Sequence, residues 1–447
     1  ASATTRRRRT CAVHASARSD LSVLLACKEK PPCAPQFSSG LCAAMLAGLK
    51  KFGEEIAPYA MGMTQNLVAA FWKLNGSQDQ TDEDDFTGAL ASVGCLRAIA
   101  TILESLSALP HMYAQLEPAL MPIMRKMLGA DGYDVYEEVL EILSYMTYYA
   151  PAVSPAMWEL WPVLISALDG EYGVQYFENI LVPMDNYISR GTETFLAHPT
   201  CKGDVLRVAS GVLLNNDIPE PEMLPAPKLL ECVLQNCKGR VDDCVAPYLA
   251  VALERLKTCE LTYLKDLLIQ IVANCLWYNA ALTLDILVKN GALGTALQTW
   301  FGMLNDRTRK GGNKRKHHRR EHDKKVCILG LVALIQTPAQ SLPAEVAAGM
   351  GQICAAVVSL LVDLREQEKE RKEFEAKHPG GFYGWGSDEE GFGGDEDLGD
   401  DDKEEEELDH AELEAMAKRA TAVNPYRRRT GDEDDDEDDE DEDEDED

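Results

Sequence analysis

Aromatic residues are scarce: Phe, Trp and Tyr make up 7% of the 447 residues, against 45% for all hydrophobic types. No segment alternates apolar with polar positions over the length of a strand, so a sheet-based body has no support. Also missing are a Gly-rich phosphate loop, a nucleophile elbow and an HExxH helix, which leaves no readable catalytic machinery and no cofactor to expect. The 13 cysteines form no regular ladder, and Cys95, Cys232, Cys275, Cys327 and Cys354 fall in apolar stretches. That usage excludes a secreted disulfide framework and points to a reducing compartment. Uninterrupted apolar runs are lacking too. Leu267 to Leu284 contains Gln270, Asn274 and Asn279, and Val326 to Ala344 is broken by Pro338 and Pro343, so neither makes a convincing membrane span.

Charge is present in excess, and it is unevenly placed. Of the 75 acidic residues, 32 lie in residues 387–447 beside six basic ones, whereas the whole chain carries a net charge of −31. Such a segment cannot bury enough apolar surface to offset its ordering entropy, and a disordered acidic C-terminal tail is expected over residues 377–447. At the other end, residues 1–40 hold Arg6 to Arg9 and no acid before Asp20. They read either as a disordered extension or gene-model artefact or as a transit-like targeting segment.

Between these ends, apolar residues recur at steps of three and four, the spacing that lines one face of a helix. Leu90, Val93, Leu96, Ile99, Leu103 and Leu106 form one stripe; Val135, Val139, Ile142, Leu143 and Met146 form another. Breaks fall at Pro110, Gly129 to Gly132, Pro151, Gly170, Gly191, Pro219 to Pro227, Gly239, Asn279 and Gly291. Pairing neighbouring segments gives units near 87–128, 131–168, 171–214, 221–257 and 259–299, each about 40 residues, the period of HEAT or armadillo helical hairpins. The expected fold is all-α: an α-solenoid of HEAT/armadillo-like hairpins over residues 41–376, with an ordinary helical bundle as the alternative. Trp158 and Trp161 are expected to pack in the core or between repeats, and Lys238-Gly239-Arg240 to stop a helix and turn.

Three blocks of the chain resemble one family. They are Met157 to Pro162 with Tyr176 to Asn179 and Pro183 to Tyr187; Leu229 to Glu231 through Cys237 to Arg240 and Ala252 to Leu256; and Lys325 to Leu331 with Ala333 to Ile335. The chain is similar in these stretches to the importin beta superfamily of nuclear transport receptors, in its importin seven/eight branch. The resemblance implies a receptor that carries basic cargo, such as ribosomal proteins or histones, and meets Phe-Gly repeats of the nuclear pore while shuttling between cytoplasm and nucleus. It also implies a Ran-dependent cycle. Ran contacts in that family lie mainly in N-terminal repeats, which nothing here resembles, so the chain is expected to be a C-terminal portion of a full receptor.

Two charged features could carry such binding. The run Asp432, Glu433, Asp434, Asp435, Asp436, Glu437 and onward to Asp447 is acidic at every position and would attract basic surfaces at long range. Between Arg307 and Lys325 lie ten Lys/Arg residues, among them Lys314, Arg315, Lys316, Arg319 and Arg320, which read as an exposed basic loop between two helices. Its competing uses are a nuclear-localisation-like patch, phosphate contact with nucleic acid, or a counter-ion for the acidic tail, beside a purely solvated loop with no partner. Without interleaved aromatics the nucleic-acid use is the weakest. His317, His318 and His322 are not expected to hold a metal, because the surrounding positive charge disfavours a dication. The alternative to transport is an acidic chaperone that shields histones or other basic proteins.

Overall fold

The computed structural model describes residues 53–75, 82–170, 173–307 and 315–377. The N-terminal extension, Lys314 and the acidic segment from 378 onward, including Asp432 to Glu437, lie outside the described residues. By contact the chain divides into 1–382 and 383–447, and every described residue belongs to the first unit.

Helices come in pairs separated by the breaks the sequence marks. After α1 (Gly53–Asn75) come α2 (Asp82–Ser105) with α3 (His111–Met127), then α4 (Tyr136–Tyr149) with α5 (Pro155–Trp158) and α6 (Trp161–Leu168). The third pair is α7 (Phe177–Arg190), a short α8 (Thr192–Ala197) and α9 (Cys201–Leu213); the fourth is α10 (Pro225–Asn236) with α11 (Asp242–Leu256). Then follow α12 (Thr262–Lys289) with α13 (Leu293–Asn305), and α14 (Glu321–Gln336) with α15 (Ala344–Ala348) and α16 (Met350–Lys377). Among the described residues the only β pairing is an isolated bridge between Arg307 and Arg315.

The first helix of each pair packs on the first helix of the next: α2 on α4, α4 on α7, α7 on α10, α10 on α12, α12 on α14. This row makes the fold an α-solenoid, in which one amphipathic hairpin alone would leave its inner face wet and each neighbour covers it. The buried core is correspondingly continuous from Ala60 to Leu360. Hydrogen bonds between pairs keep the register: Asn186 to Thr147 spans 39 residues, Trp161 to Asp204 43 and Arg97 to Glu138 41.

Two positions show how sequence sets local geometry. Gly239 has φ +79° and Gly291 φ +65°, left-handed conformations that end α10's turn and α12 as helix-stopping glycines do. Asn279, read from sequence as a break, is one extended residue (φ −158°, ψ 93°) that kinks α12, its side-chain oxygen accepting from Leu282 N–H at 3.1 Å. Before the kink, α12 buries Leu264, Leu267, Leu268, Ile269, Ile271 and Val272. By length and composition α12 could cross a membrane, the only described helix that could, yet it is the inner helix between α10 and α14. Trp161 is fully buried with Tyr187 and Phe195 packed edge-on against it at 5.7 and 5.9 Å, and Trp158 joins this cluster, as expected of inter-repeat packing.

Candidate protein-interaction surface

Polar residues run along the row of first helices as a seam. Arg97 on α2 reaches Glu138 on α4 at 3.0 Å, and Tyr145 donates to Glu141 at 3.2 Å. Partial desolvation by its neighbours raises the Glu141 carboxyl above its ordinary value, as does the nearby charge of Glu104. Asn186 on α7 donates to Ser144 O at 3.2 Å and to Thr147 Oγ1 at 3.1 Å. The Cys232 thiol on α10 donates to Asp185. Gln235 bridges Glu231 at 2.6 Å and Asn274 of α12 at 3.3 Å, and Gln270 donates to Asp323 of α14 at 2.9 Å. Of its acids, Glu138, Glu231 and Asp323 are buried and already paired with Arg97, His322 and Arg320, whereas Glu141 is exposed and Asp185 half-buried. Burial pushes Cys237 and Cys244 up to about 11, so both stay neutral thiols packed as small core residues.

The loop ends hold a second set of bridges between pairs. Arg207 meets Asp169 and Lys202 meets Asp243, each at 2.6 Å, and these exposed pairs are worth roughly 0–1 kcal/mol apiece. Glu220 differs because it is mostly buried: it accepts from Arg255 at 2.6 Å and from the Leu261 N–H at 2.6 Å, so it caps the start of α12 from the preceding pair. Burial opposes ionisation, but the Leu261 and Glu260 amides and Arg255 outweigh it and hold Glu220 below its ordinary value.

The basic loop departs from its sequence reading. Lys316 and Arg319 are exposed as expected, but Arg315 is buried. Its guanidinium pairs with Asp363 of α16, and it donates to Leu304 O at 2.6 Å and Ser359 Oγ at 2.7 Å. His317 meets Asp266 of α12 through Nδ1 at 2.7 Å, and the His318 N–H donates to the other oxygen of Asp266 at 2.9 Å. His318 has φ +54° and is wholly buried, with no hydrogen-bond partner for either ring nitrogen among the described residues. A non-glycine in that region stores about 1–3 kcal/mol of strain. Burial also holds its imidazole below the usual histidine value. Arg320 caps α14 by binding Asp323 at 3.0 Å and lies over the Tyr263 ring at 4.4 Å. His322 meets Glu231 at 2.8 Å, which raises its pKa. The described part of the loop is therefore a strap seated on carboxylates of α12 and α16. Sequence reasoning missed those partners, Asp266 and Asp363, although an acid inside an apolar run such as Leu264 to Leu268 signals a buried counter-charge.

The family model described as importin-11-like, TPR repeats matches residues 97–419. The chain belongs to this family of helical-repeat importins. It is 49% identical over 319 residues to an importin beta-like SAD2 homolog of Arabidopsis thaliana, covering 71% of this chain and 30% of that protein. A probable importin-7 homolog of Dictyostelium discoideum is 29% identical over 345 residues, 76% of this chain and 31% of its own length. Importin-8 of Homo sapiens is 28% identical over 325 residues, covering 71% and 30%. The chain thus spans about 30% of the length of these relatives. No solved structure matches it. In this chain the first helices α4, α7, α10 and α12 start at residues 136, 177, 225 and 262, steps of 41, 48 and 37, which fit the roughly 40–47-residue HEAT or armadillo hairpin better than the 34 of a tetratricopeptide repeat.

Proposed function

We propose that this chain is the cargo-holding part of a nuclear transport receptor, and that it carries basic proteins such as ribosomal proteins or histones. The observation that carries the reading is the extent of the family match: residues 97–419 include both the helical row and the acid block Asp388 to Glu407. Basic cargo would meet the accessible acids of the first helices, such as Glu141 and Asp185, with Asp432 to Glu437 and the rest of the acid-rich segment raising the rate of encounter. Phe-Gly repeats would enter apolar grooves between second helices, and the Ran-dependent step would rest on N-terminal repeats of a longer receptor. Localisation would alternate between cytoplasm and nucleus.

The test is a pull-down with an immobilised basic ribosomal protein and, separately, a Phe-Gly repeat segment. Both should retain the 447-residue chain, and removing residues 387–447 should weaken only the first. Equal retention of the ribosomal protein without those residues would take the tail out of the mechanism. Retention by the ribosomal protein with none by Phe-Gly repeats would replace transport with the acidic-chaperone reading.

A further inference from the structure

Asp266 on α12 and Asp363 on α16 converge beneath one segment of chain, and that segment supplies the cations they need. Arg315 answers Asp363 and His317 answers Asp266, while the His318 N–H takes the second oxygen of Asp266. From Asp306 to Lys325 the sequence contains no aliphatic or aromatic residue at all. Charge and hydrogen bonds therefore hold the strap down, with no apolar side chain of its own to anchor it, and because these pairs are buried, salt screens them far less than exposed ones. Its seat also carries a cost, because His318 is in the left-handed region and neither ring nitrogen is hydrogen-bonded in a buried site, Nδ1 lying 3.8 Å from Asp266.

We infer that Asp266, Asp363 and Ser359 form a binding site for an arginine-rich protein segment, which the chain's own residues 315–318 occupy as an internal competitor. The inference rests on the proposed basic-cargo function and adds its regulation. Arg307 also reaches Asp363 at 3.4 Å, so departure of the strap bares chiefly the buried Asp266; that is costly, and the strap leaves only when another cation replaces it. An incoming arginine repeats the fork that Arg315 makes, with two donors on Asp363 and Ser359. The exchange conserves the number of charge pairs and relieves the strain at His318. Lys316 and Arg319, exposed on the strap, stay in solvent in either state.

The test uses the whole chain and a twelve-residue oligo-arginine peptide, with hydrogen exchange over residues 315–320 and peptide affinity as readouts. Peptide should strip the protection of those amides in the native chain. Arg315→Gln with His317→Gln should bind the peptide about tenfold more tightly, and Asp266→Asn with Asp363→Asn should abolish the exchange response. Helix content by circular dichroism reports whether each variant folds, and the native-chain exchange experiment stands without any variant. Peptide that binds while strap protection is unchanged, or binds native and Arg315→Gln/His317→Gln chains equally, overturns the inference and leaves basic-cargo binding intact. Failure of the peptide to bind any version at low salt overturns both.

Discussion

Glu220 illustrates how one side chain can tie two hairpins together. Its pKa is depressed in the fold, so its contribution is fully present above the unfolded value of about 4.3 and is lost as pH falls through the lower folded value. Glu220→Ala should cost about 1–3 kcal/mol at pH 7 and flatten the acid limb of the stability curve, as thermal unfolding across pH 3 to 7 would show. His322 has the opposite sign. Its pKa is raised by Glu231, so that stabilisation is present below about pH 6.5 and disappears as pH rises through the folded value. Unfolding of His322→Ala between pH 5.5 and 8 should lose that dependence. An unchanged profile would mean the 2.8 Å contact contributes nothing.

At the scale of elements, α12 and α14 approach unusually closely because Gly330 has no side chain. A Cβ there would lie 2.8 Å from the Ala273 backbone, so Gly330→Ala must push the two helices apart. The expected loss is about 1–3 kcal/mol, measured by denaturant unfolding, and a neutral result would contradict the close packing. The stripes Leu96–Ile99–Leu103 and Val139–Ile142–Leu143–Met146 were legible because a buried helical face repeats every three to four residues. Helix ends were legible where proline or glycine enforces them. The strap was not: a run of like charge looks solvated unless the distant carboxylates that neutralise it are known. Asp266 and Asp363 lie far from their partners along the chain, a separation no local pattern encodes: the His317–Asp266 contact spans 51 residues and the Arg315–Asp363 contact 48.

For the molecule as a whole, stability in a stack of hairpins is close to a sum over neighbours, so damage should stay local. Leu103→Ala, which empties a fully buried site on α2, should cost about 2–5 kcal/mol. Hydrogen exchange should then speed up in α2 to α4 while the amides of α12 to α16 keep their protection; uniform acceleration would indicate a single cooperative core instead. The same row is the surface on which the functional account rests. Its central claim is tested most directly by hydrogen exchange of the full chain with and without a saturating basic ribosomal protein. The account predicts new protection along α4, α7 and α10, at the peptides holding Glu141, Asp185 and Gln235, which fades as salt is raised from 50 to about 200 mM. Binding that leaves those three helices unprotected would contradict it.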